Sequence, residues 1–249
     1  MKIATWNLDH ASNSSRPVTA QIQQLERINA DILVLTETCE RVDLRTLGYK
    51  SVLPHHKNRY GKYWSVIWSR WPISQQIDCY DNETAVCARI ASPLGDLIIY
   101  GTIITWKNDP GSDPEVKSPA WSEHEKSILE HGIDWRAIQN GQPGIPFVVA
   151  GDFNQTRDGS KVYCSPNGIR LLNEQLERNS LVCVTDEDFG ANMKLAPDPQ
   201  KSGRYRHNVD HICVSKSLLK AEYVGAWDHF RNGEVLSDHN GVFAELTKI

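Results

Sequence analysis

PFVVAGDFNQ, at residues 146–155, is the stretch that decides the fold. Its first five residues form a short apolar run, which is typical of a strand buried on both faces. Asp152 and Asn154 follow at the end of that strand, and alternate side chains of an extended chain point the same way. We therefore expect a carboxylate and an amide to face one ligand, and we favour this interpretation over a purely structural turn.

Four other short polar signatures each lie at an end of an apolar run: ATWN at 4–7, LTE at 35–37, VDH at 209–211 and SDH at 237–239. Their fixed order carries more information than any single match. The five signatures together supply an oxygen-rich set of side chains: Asn7, Glu37, Asp152, Asn154, Asp210, Asp238 and His239. Such a set suits a hard divalent cation and a phosphate, so the pattern predicts a metal-dependent phosphoester hydrolase.

Some of these residues, taken singly, have simpler interpretations. Asn7 alone is most simply a turn residue that closes a strand, and His239 alone is most simply a loop histidine. Glu37 alone is as easily a solvated residue just beyond its strand. At the edge of a buried strand, however, an ionised carboxylate needs a cation or hydrogen-bond donors, which makes a metal a reasonable partner.

Catalytic roles follow from the chemistry of the side chains. Asp152 is expected to orient and deprotonate a water, while Asn154 donates to a phosphate oxygen. Asp210 is expected to pair with one nitrogen of His239 and to raise its pKa, so that the other nitrogen faces phosphate as a charged donor. The cluster of Lys201, Arg204, Arg206 and His207 is predicted either to bind phosphate or to form a solvated loop.

Composition limits the class of protein. The chain has 249 residues, and from this length we expect a single domain over 1–249. Its net charge is −4, so no overall positive field attracts it to nucleic acid or to anionic membranes. A local basic patch still leaves nucleic acid open as a substrate. The six cysteines show no CxxC spacing and are predicted to be free thiols, mostly buried. We see no leader or spanning segment and expect a soluble, cytoplasmic monomer without membrane insertion.

Periodicity predicts a mixed α and β chain with many short strands, and therefore a sheet-on-sheet core. Three amphipathic helices are expected to lie on the sheets. The second carries Trp121, Ile128 and Trp135, and Ser118 with Pro119 is its expected start. His124 and His131 are predicted to lie on the solvated face of that helix. The strand candidates are KIATWN, DILVLT, YWSVIWS, TAVCARI, DLIIYGTII, PFVVAG, LVCV, VDHICVS and GVFAEL.

The ordered signatures, together with VIWSRWPI at 66–73, resemble the endonuclease/exonuclease/phosphatase superfamily over nearly the whole chain. The resemblance implies an α/β fold of the deoxyribonuclease I type, a four-layer sandwich of two packed, mostly antiparallel sheets flanked by helices. It implies Mg²⁺ or Mn²⁺ as cofactor, with Glu37 as principal ligand and Asn7 and Asp238 nearby. It also implies Asp152 as water activator, Asn154 as orienter of phosphate and water, and His239 paired with Asp210.

One position departs from the family pattern. The family usually has His or Tyr at the end of one strand, where YGTIITW at 100–106 places Ile103. An aliphatic side chain supplies neither a phosphate contact nor a leaving-group acid. Tyr100, Thr102, Trp106 and the polar loop 107–118 are the candidates to replace it, and we assign Trp106 to substrate binding.

Three hypotheses about function remain at this stage. The favoured one is a Mg²⁺-dependent phosphodiesterase, specifically a nuclease. The second is a phosphomonoesterase or lipid-headgroup hydrolase of the same fold, because fold and metal do not determine substrate. The third is a non-catalytic binding module, against which Asp152, Asp210 and His239 argue.

Overall fold

The computed structural model describes residues 1–10, 17–111, 118–200 and 203–249. Within these residues the chain forms fourteen strands and three α-helices. The strands are β1 (Lys2–Asn7), β2 (Ile32–Thr38), β3 (Lys50–Val52), β4 (Tyr63–Ser69), β5 (Ile73–Ile77), β6 (Ala85–Ser92), β7 (Gly95–Ile103), β8 (Phe147–Asp152), β9 (Leu181–Cys183), β10 (Asp210–Ser215), β11 (Leu219–Trp227), β12 (Phe230–Arg231), β13 (Glu234–Val235) and β14 (Gly241–Lys248). The helices are α1 (Val18–Ile28), α2 (Ser122–Gly141) and α3 (Pro166–Arg178).

Two six-stranded sheets contain most of these strands. The first sheet has the order β11-β14-β1-β2-β4-β3, and the second has the order β5-β6-β7-β8-β10-β9. Only β1–β2 and β7–β8 pair in parallel among these neighbours, and the other pairs are antiparallel. Strands β12 and β13 form a separate short ribbon.

The two sheets pack face to face with helices outside them. Residues of alternate parity, such as Ile3 in β1 and Val148 in β8, form the core between the sheets. Trp6 and Leu25 belong to the layer between the first sheet and α1. Phe147, with residues of α2 and α3, fills the layer outside the second sheet. The result is the expected four-layer α/β sandwich, because each sheet buries both of its faces.

The strand predictions were correct but incomplete. All nine predicted strands are present, whereas β3, β5, β11, β12 and β13 had not been predicted. β11 is the longest of these, with the sequence LKAEYVGAW, and it lies at the edge of the first sheet. An edge strand with several solvent-facing residues lacks the continuous apolar run that identifies a central strand.

Two predictions about the second helix were wrong. α2 begins at Ser122, after Trp121 in a left-handed conformation, and not at Ser118 and Pro119. His124 and His131 are buried and do not lie on a solvated face. His131 contacts the Tyr100 hydroxyl at 3.0 Å. The buried face of α2 is partly polar, so apolar periodicity alone could not identify it.

All six cysteines are free. Four of them are buried: Cys79, Cys87, Cys183 and Cys213. Cys39 and Cys164 are partly exposed. The prediction of free, mostly buried thiols is therefore confirmed. Among the described residues, no helix is both long and apolar enough to cross a membrane.

Candidate active site

The candidate site lies at one end of the interface between the two sheets. Asn7 ends β1 in the first sheet, and Ile103 and Asp152 end β7 and β8 in the second. Asp210 begins β10 and lies directly opposite Asp152 in the antiparallel register. Each residue has the parity of the inter-sheet face of its strand, so all four side chains reach the same end of the core.

Gly151 brings β8 close to β7 just before Asp152. Its φ is +144°, and a Cβ at this position would lie 1.8 Å from the carbonyl oxygen of Thr102. No side chain fits there. The glycine before Asp152 therefore permits the parallel pairing of Thr102 with Gly151 that brings the Asp152 carboxylate to the site.

Glu37 reaches the site through an irregular backbone. By strand alternation it would share the outer face of Leu35, but its φ of +46° interrupts the alternation. The Asn7 amide nitrogen donates to Glu37 Oε1 at 3.1 Å and to Asp152 Oδ2 at 3.0 Å. Asn7 thereby joins a carboxylate of the first sheet to a carboxylate of the second.

Asn154 also departs from the extended conformation expected for it. Its φ is +48°, so the residues after β8 turn back toward the strand. The Asn154 amide nitrogen donates to the Ile104 carbonyl at 2.9 Å and to Asp152 Oδ2 at 3.1 Å, and its backbone N–H donates to Asp152 Oδ1 at 2.8 Å. Asn154 and Asp152 do lie together, but the contacts make Asn154 a partner of Asp152, with both amide donors already engaged.

The Asp152 carboxyl is buried among these donors. Burial raises the pKa of Asp152 to about 7, an effect that the neighbouring His239 opposes and the neighbouring Asp210 reinforces. A carboxyl whose pKa lies near neutrality is suited to accept a proton from water.

Asp210 and His239 form the expected pair. His239 Nδ1 donates to Asp210 Oδ2 at 2.7 Å, and this bond directs Nε2 toward Asp152 Oδ2, at 4.0 Å. Burial alone would lower the pKa of His239, but the charges of Asp152 and Asp210, the bond to Asp210 and the charge of Asp238 together raise it well above its ordinary value. The imidazole is therefore a charged donor at neutral pH.

The loop that carries His239 is tied to β1. The Trp6 indole nitrogen donates to the His239 carbonyl at 2.7 Å. The Ser237 hydroxyl donates to the Asn7 carbonyl at 2.6 Å and accepts the backbone N–H of His239 at 3.0 Å. The sequence patterns had assigned neither Trp6 nor Ser237 a role at the site. The signal for Ser237 was its presence in the SDH signature.

The site has the composition of a divalent-metal site. Glu37, Asp152, Asp210, Asp238 and His239 converge, and Asp210 Oδ1 is buried without a hydrogen-bond partner. Burial raises the pKa of Glu37, and the bond from Asn7 and the charge of His239 oppose this change. Carboxylate oxygens of Asp152 and Asp210 lie within 4.8 Å of each other, beside the His239 imidazole. These observations fit a hard cation.

The orientation of Asn7 bears on its expected role as a ligand. Its carbonyl oxygen accepts the backbone N–H of Asp9 at 2.9 Å, so its amide nitrogen, and not its oxygen, faces the two carboxylates. An amide nitrogen donates hydrogen bonds and does not bind a cation. This arrangement favours a positioning role for Asn7 over direct ligation.

Three predicted substrate-binding residues that the structure describes, Trp106, Arg204 and Arg206, line the cavity at the site. Arg204 is exposed, and Trp106 is 40% exposed. Arg206 is already engaged, since it donates to the Asp238 carbonyl and its Nε lies 3.5 Å from the buried carboxylate of Asp198. Only the N–H groups of Arg206 that are not engaged in these contacts remain to bind a phosphate. Lys201 and residues 112–117 of the polar loop lie outside the described residues.

Ile103 lies in the cavity wall, whereas Tyr100 does not. The Tyr100 hydroxyl donates to Asp134 at 2.8 Å in the layer between the second sheet and α2. Thr102 is buried beside His131 on that same side, at 3.2 Å. Neither residue can replace the missing donor at position 103, so both suggestions from the sequence were wrong. The parity of β7 turns these two side chains away from the site.

The cavity is open and has a volume of about 1670 Å³. Asp152 and His239 lie in its wall together with Tyr163, a residue that the sequence patterns had not singled out. Tyr163 belongs to a loop between β8 and α3, where periodicity carries no signal.

The model of the Endonuclease/Exonuclease/phosphatase family matches residues 4–239. No curated protein gives a significant sequence match.

Solved structures share the fold. A 3′ phosphatase, NExo from Neisseria, bound to a product DNA hairpin, has a TM-score of 0.69 at 19% identity and covers 99% of each chain. The human Nocturnin catalytic domain with bound sulfate has a TM-score of 0.66 at 16% identity, with 100% of this chain and 94% of that chain covered. A family protein from Bacteroides thetaiotaomicron has a TM-score of 0.66 at 15% identity, with 99% and 97% covered.

Proposed function

Because the chain belongs to the Endonuclease/Exonuclease/phosphatase family and is a phosphoester hydrolase, we propose that it is a Mg²⁺-dependent phosphodiesterase that acts as a nuclease. The observation that carries the proposal is the buried group of Asp152, Asp210 and His239 beside Glu37. It combines a carboxyl with a pKa of about 7 and a charged imidazole, 4.0 Å apart, in the wall of one cavity.

In this proposal each residue acts on the phosphodiester or on water. Asp152 accepts a proton from the attacking water, and Asn7 and Asn154 hold its carboxylate in place. His239, fixed by Asp210, donates Nε2–H to a phosphoryl oxygen whose negative charge grows in the transition state. Removing one such donor typically costs two to three orders of magnitude in rate.

Glu37 and Asp238, with a contribution from Asp152 and Asp210, are the residues that would hold the metal. A divalent cation polarises phosphoryl oxygens and neutralises their charge when bound, and Mg²⁺ prefers such oxygen ligands, with Mn²⁺ as the alternative. The positive charge would also relieve the repulsion among the carboxylates.

The cavity supports a nucleic-acid substrate over a small phosphomonoester. Its volume of about 1670 Å³ exceeds the 300–1,000 Å³ range typical of small-molecule pockets. Tyr60, 53% exposed, and Trp106 lie in its wall and can stack on bases. Arg59 and Arg204 in the wall supply positive charge for phosphates.

The test is an activity panel with single-stranded DNA, duplex DNA, abasic DNA, RNA, phosphomonoesters and a phospholipid, each with and without Mg²⁺. We expect Mg²⁺-dependent cleavage of a polynucleotide. The matched control is Asp210→Asn, which removes the negative charge beside His239 without changing the size of the side chain.

Turnover of phosphomonoesters or phospholipid without cleavage of any polynucleotide would replace the nuclease with the second hypothesis. Tight binding of a polynucleotide without turnover of any substrate would favour the binding module.

The proposal also includes a single domain over 1–249 and a cytoplasmic monomer. A mass near 28.2 kDa by size exclusion with light scattering would support the monomer.

A further inference from the structure

The end of β7 contributes no proton donor to the cavity wall. Ile103 closes β7 at the position where His or Tyr was expected, and its side chain carries no polar atom. Tyr100 and Thr102 face the opposite side of the sheet. A donor for the leaving group must therefore come from another element.

We propose that the Tyr163 hydroxyl donates a proton to the departing oxygen, in place of the side chain missing at position 103; this inference rests on the proposed phosphodiesterase function.

Tyr163 is attached to the same segment that follows β7. The backbone N–H of Lys107, four residues after Ile103, donates to the Tyr163 hydroxyl oxygen at 3.4 Å. That segment is itself fixed to the catalytic strand, because Ile104 N donates to the Asp152 carbonyl at 2.8 Å. Tyr163 and Ile103 line the same cavity as Asp152.

Tyr163 is fixed through its backbone and through its ring. The backbone N–H of Thr156 donates to the Tyr163 carbonyl at 2.7 Å. The ring packs edge-on against Trp121, with 5.1 Å between the ring centroids. Because the hydroxyl oxygen accepts from Lys107, its own proton is not used in that bond and can point into the cavity.

The electrostatic surroundings keep this proton in place. Burial raises the pKa of Tyr163, the Lys107 N–H opposes the change, and the charge of Asp152 adds to it. The phenol therefore stays protonated throughout the neutral range.

The proton balance of the reaction closes with these two residues. The oxygen of water bonds to phosphorus, and the bond between phosphorus and the ester oxygen breaks, with the electron pair leaving on that oxygen. Water gives one proton to Asp152, and Tyr163 gives one to the leaving oxygen, so that the products are a phosphomonoester and an alcohol. Transfer of a proton from Asp152 to the phenolate through solvent restores both residues.

The experiment compares two esters of thymidine 5′-phosphate that differ only in the leaving group, 4-nitrophenol or methanol. Nitrophenolate is a stable anion and can leave without a proton. Methoxide is a strong base, so the methyl ester needs a proton on its leaving oxygen. Tyr163→Phe should slow hydrolysis of the methyl ester by about a hundredfold and that of the nitrophenyl ester by less than about threefold. Tyr205→Phe is the control, because its hydroxyl already donates to Asp188 at 2.7 Å, and it should leave the ratio of the two rates unchanged.

A uniform loss on both esters in Tyr163→Phe would overturn the role in leaving-group protonation, since it would indicate a phosphate contact or a structural effect. Unchanged rates would also overturn it. If wild type turns over no phosphoester at all, the proposed phosphodiesterase itself is wrong, which separates the two failures.

A second variant covers the case in which Tyr163→Phe does not fold. In Ile103→His, an imidazole is added where the donor is missing. If Tyr163 already supplies the proton, the ratio of methyl to nitrophenyl rates stays within about twofold of wild type. A rise of tenfold or more in that ratio would show that the wild-type site has no donor, which contradicts the inference.

Discussion

Asp152 accepts three hydrogen bonds and has an imidazole nearby, yet burial still raises its pKa to about 7. Both pKa values are raised, that of Asp152 to about 7 and that of His239 well above its ordinary value, which gives the site a base and a charged donor at the same pH. The orientation of His239 depends on one close contact, because one oxygen of Asp210 accepts its Nδ1–H and the other Asp210 oxygen has no hydrogen-bond partner.

The first prediction concerns this pair. His239→Ala should lower turnover by at least about a hundredfold, because it removes the charged donor near phosphate. Asp210→Asn should also be severely impaired, because an amide cannot stabilise the imidazolium. Steady-state kinetics with saturating Mg²⁺ measure both effects, and circular dichroism confirms folding. Near-wild-type turnover in both folded variants would remove the pair from the mechanism.

The second prediction concerns His131, which is buried against Tyr100 and Thr102. Burial lowers the pKa of His131 to about 4, below its ordinary value of 6.5. Below pH 6.5 the unfolded chain takes up this proton first, so the histidine costs stability as pH falls. The full cost, reached near pH 4, is roughly 3 kcal/mol.

Urea denaturation at several values between pH 7 and pH 4 tests this expectation against His131→Gln. The variant is less stable at pH 7, but its stability should fall by roughly 3 kcal/mol less over that interval than the stability of wild type. Equal losses in the two proteins would mean that His131 is not held neutral in the fold.

At the scale of residues, the sequence predicted which carboxylates meet but not how they are held. Asp152 and Asp210 were predictable because apolar runs mark the strand ends that carry them. The left-handed backbone of Glu37 and Asn154 was not predictable, since neither residue favours it strongly enough to be read from sequence. No sequence pattern identified Tyr163 as a site residue, because it lies in a loop and loops have no hydrophobic periodicity.

At the scale of elements, the close approach of β7 and β8 sets the position of the Asp152 carboxylate. The third prediction is that Gly151→Ala lowers the free energy of unfolding by at least about 3 kcal/mol, because the new Cβ would meet the Thr102 carbonyl at 1.8 Å. Turnover should fall as well, since the strand end must shift. Thermal and urea denaturation measure the stability.

Gly144→Ala is the matched control. Gly144 also has a positive φ, +77°, but nothing lies within 4 Å of a Cβ built there. Its cost should be only the backbone strain of roughly 1 kcal/mol. If the two variants lose the same stability, the contact with Thr102 contributes nothing beyond backbone conformation.

Prediction of elements succeeded where each strand is buried on both faces. β2 and β8 are continuous apolar runs and were predicted from them. α2 was predicted to exist, but its buried face contains His124, His131 and Asp134, which apolar periodicity assigns to solvent. The glycine at position 132, inside α2, is explained by packing, since a Cβ there would lie 2.3 Å from the Gln175 side chain of α3.

At the scale of the whole molecule, the carboxylates of both sheets repel one another across the end of the core. The fourth prediction is that Mg²⁺ at a hundredfold over its dissociation constant stabilises the fold by about 2.7 kcal/mol. For a domain of this size the midpoint of thermal unfolding should rise by roughly 5 to 10 °C. Differential scanning calorimetry with and without Mg²⁺ measures the shift.

Glu37→Gln is the control for that measurement. The amide keeps the shape of the side chain and its contact with Asn7, but it removes one charge from the metal site. The metal-free variant should melt higher than metal-free wild type, and Mg²⁺ should stabilise it less. An equal shift in both proteins, or no shift in wild type, would contradict a metal site at Glu37.

The position of β1 between β2 and β14 has a consequence for synthesis of the protein. During translation β2 follows β1 quickly, but β14 emerges more than 230 residues later, after roughly 10 to 50 seconds. Until then one edge of β1 has no partner, and such an edge invites pairing with other chains. His239 lies two residues before β14, so the growing chain already carries Asn7 and Glu37, but the site stays incomplete until the segment that supplies His239 has been synthesised.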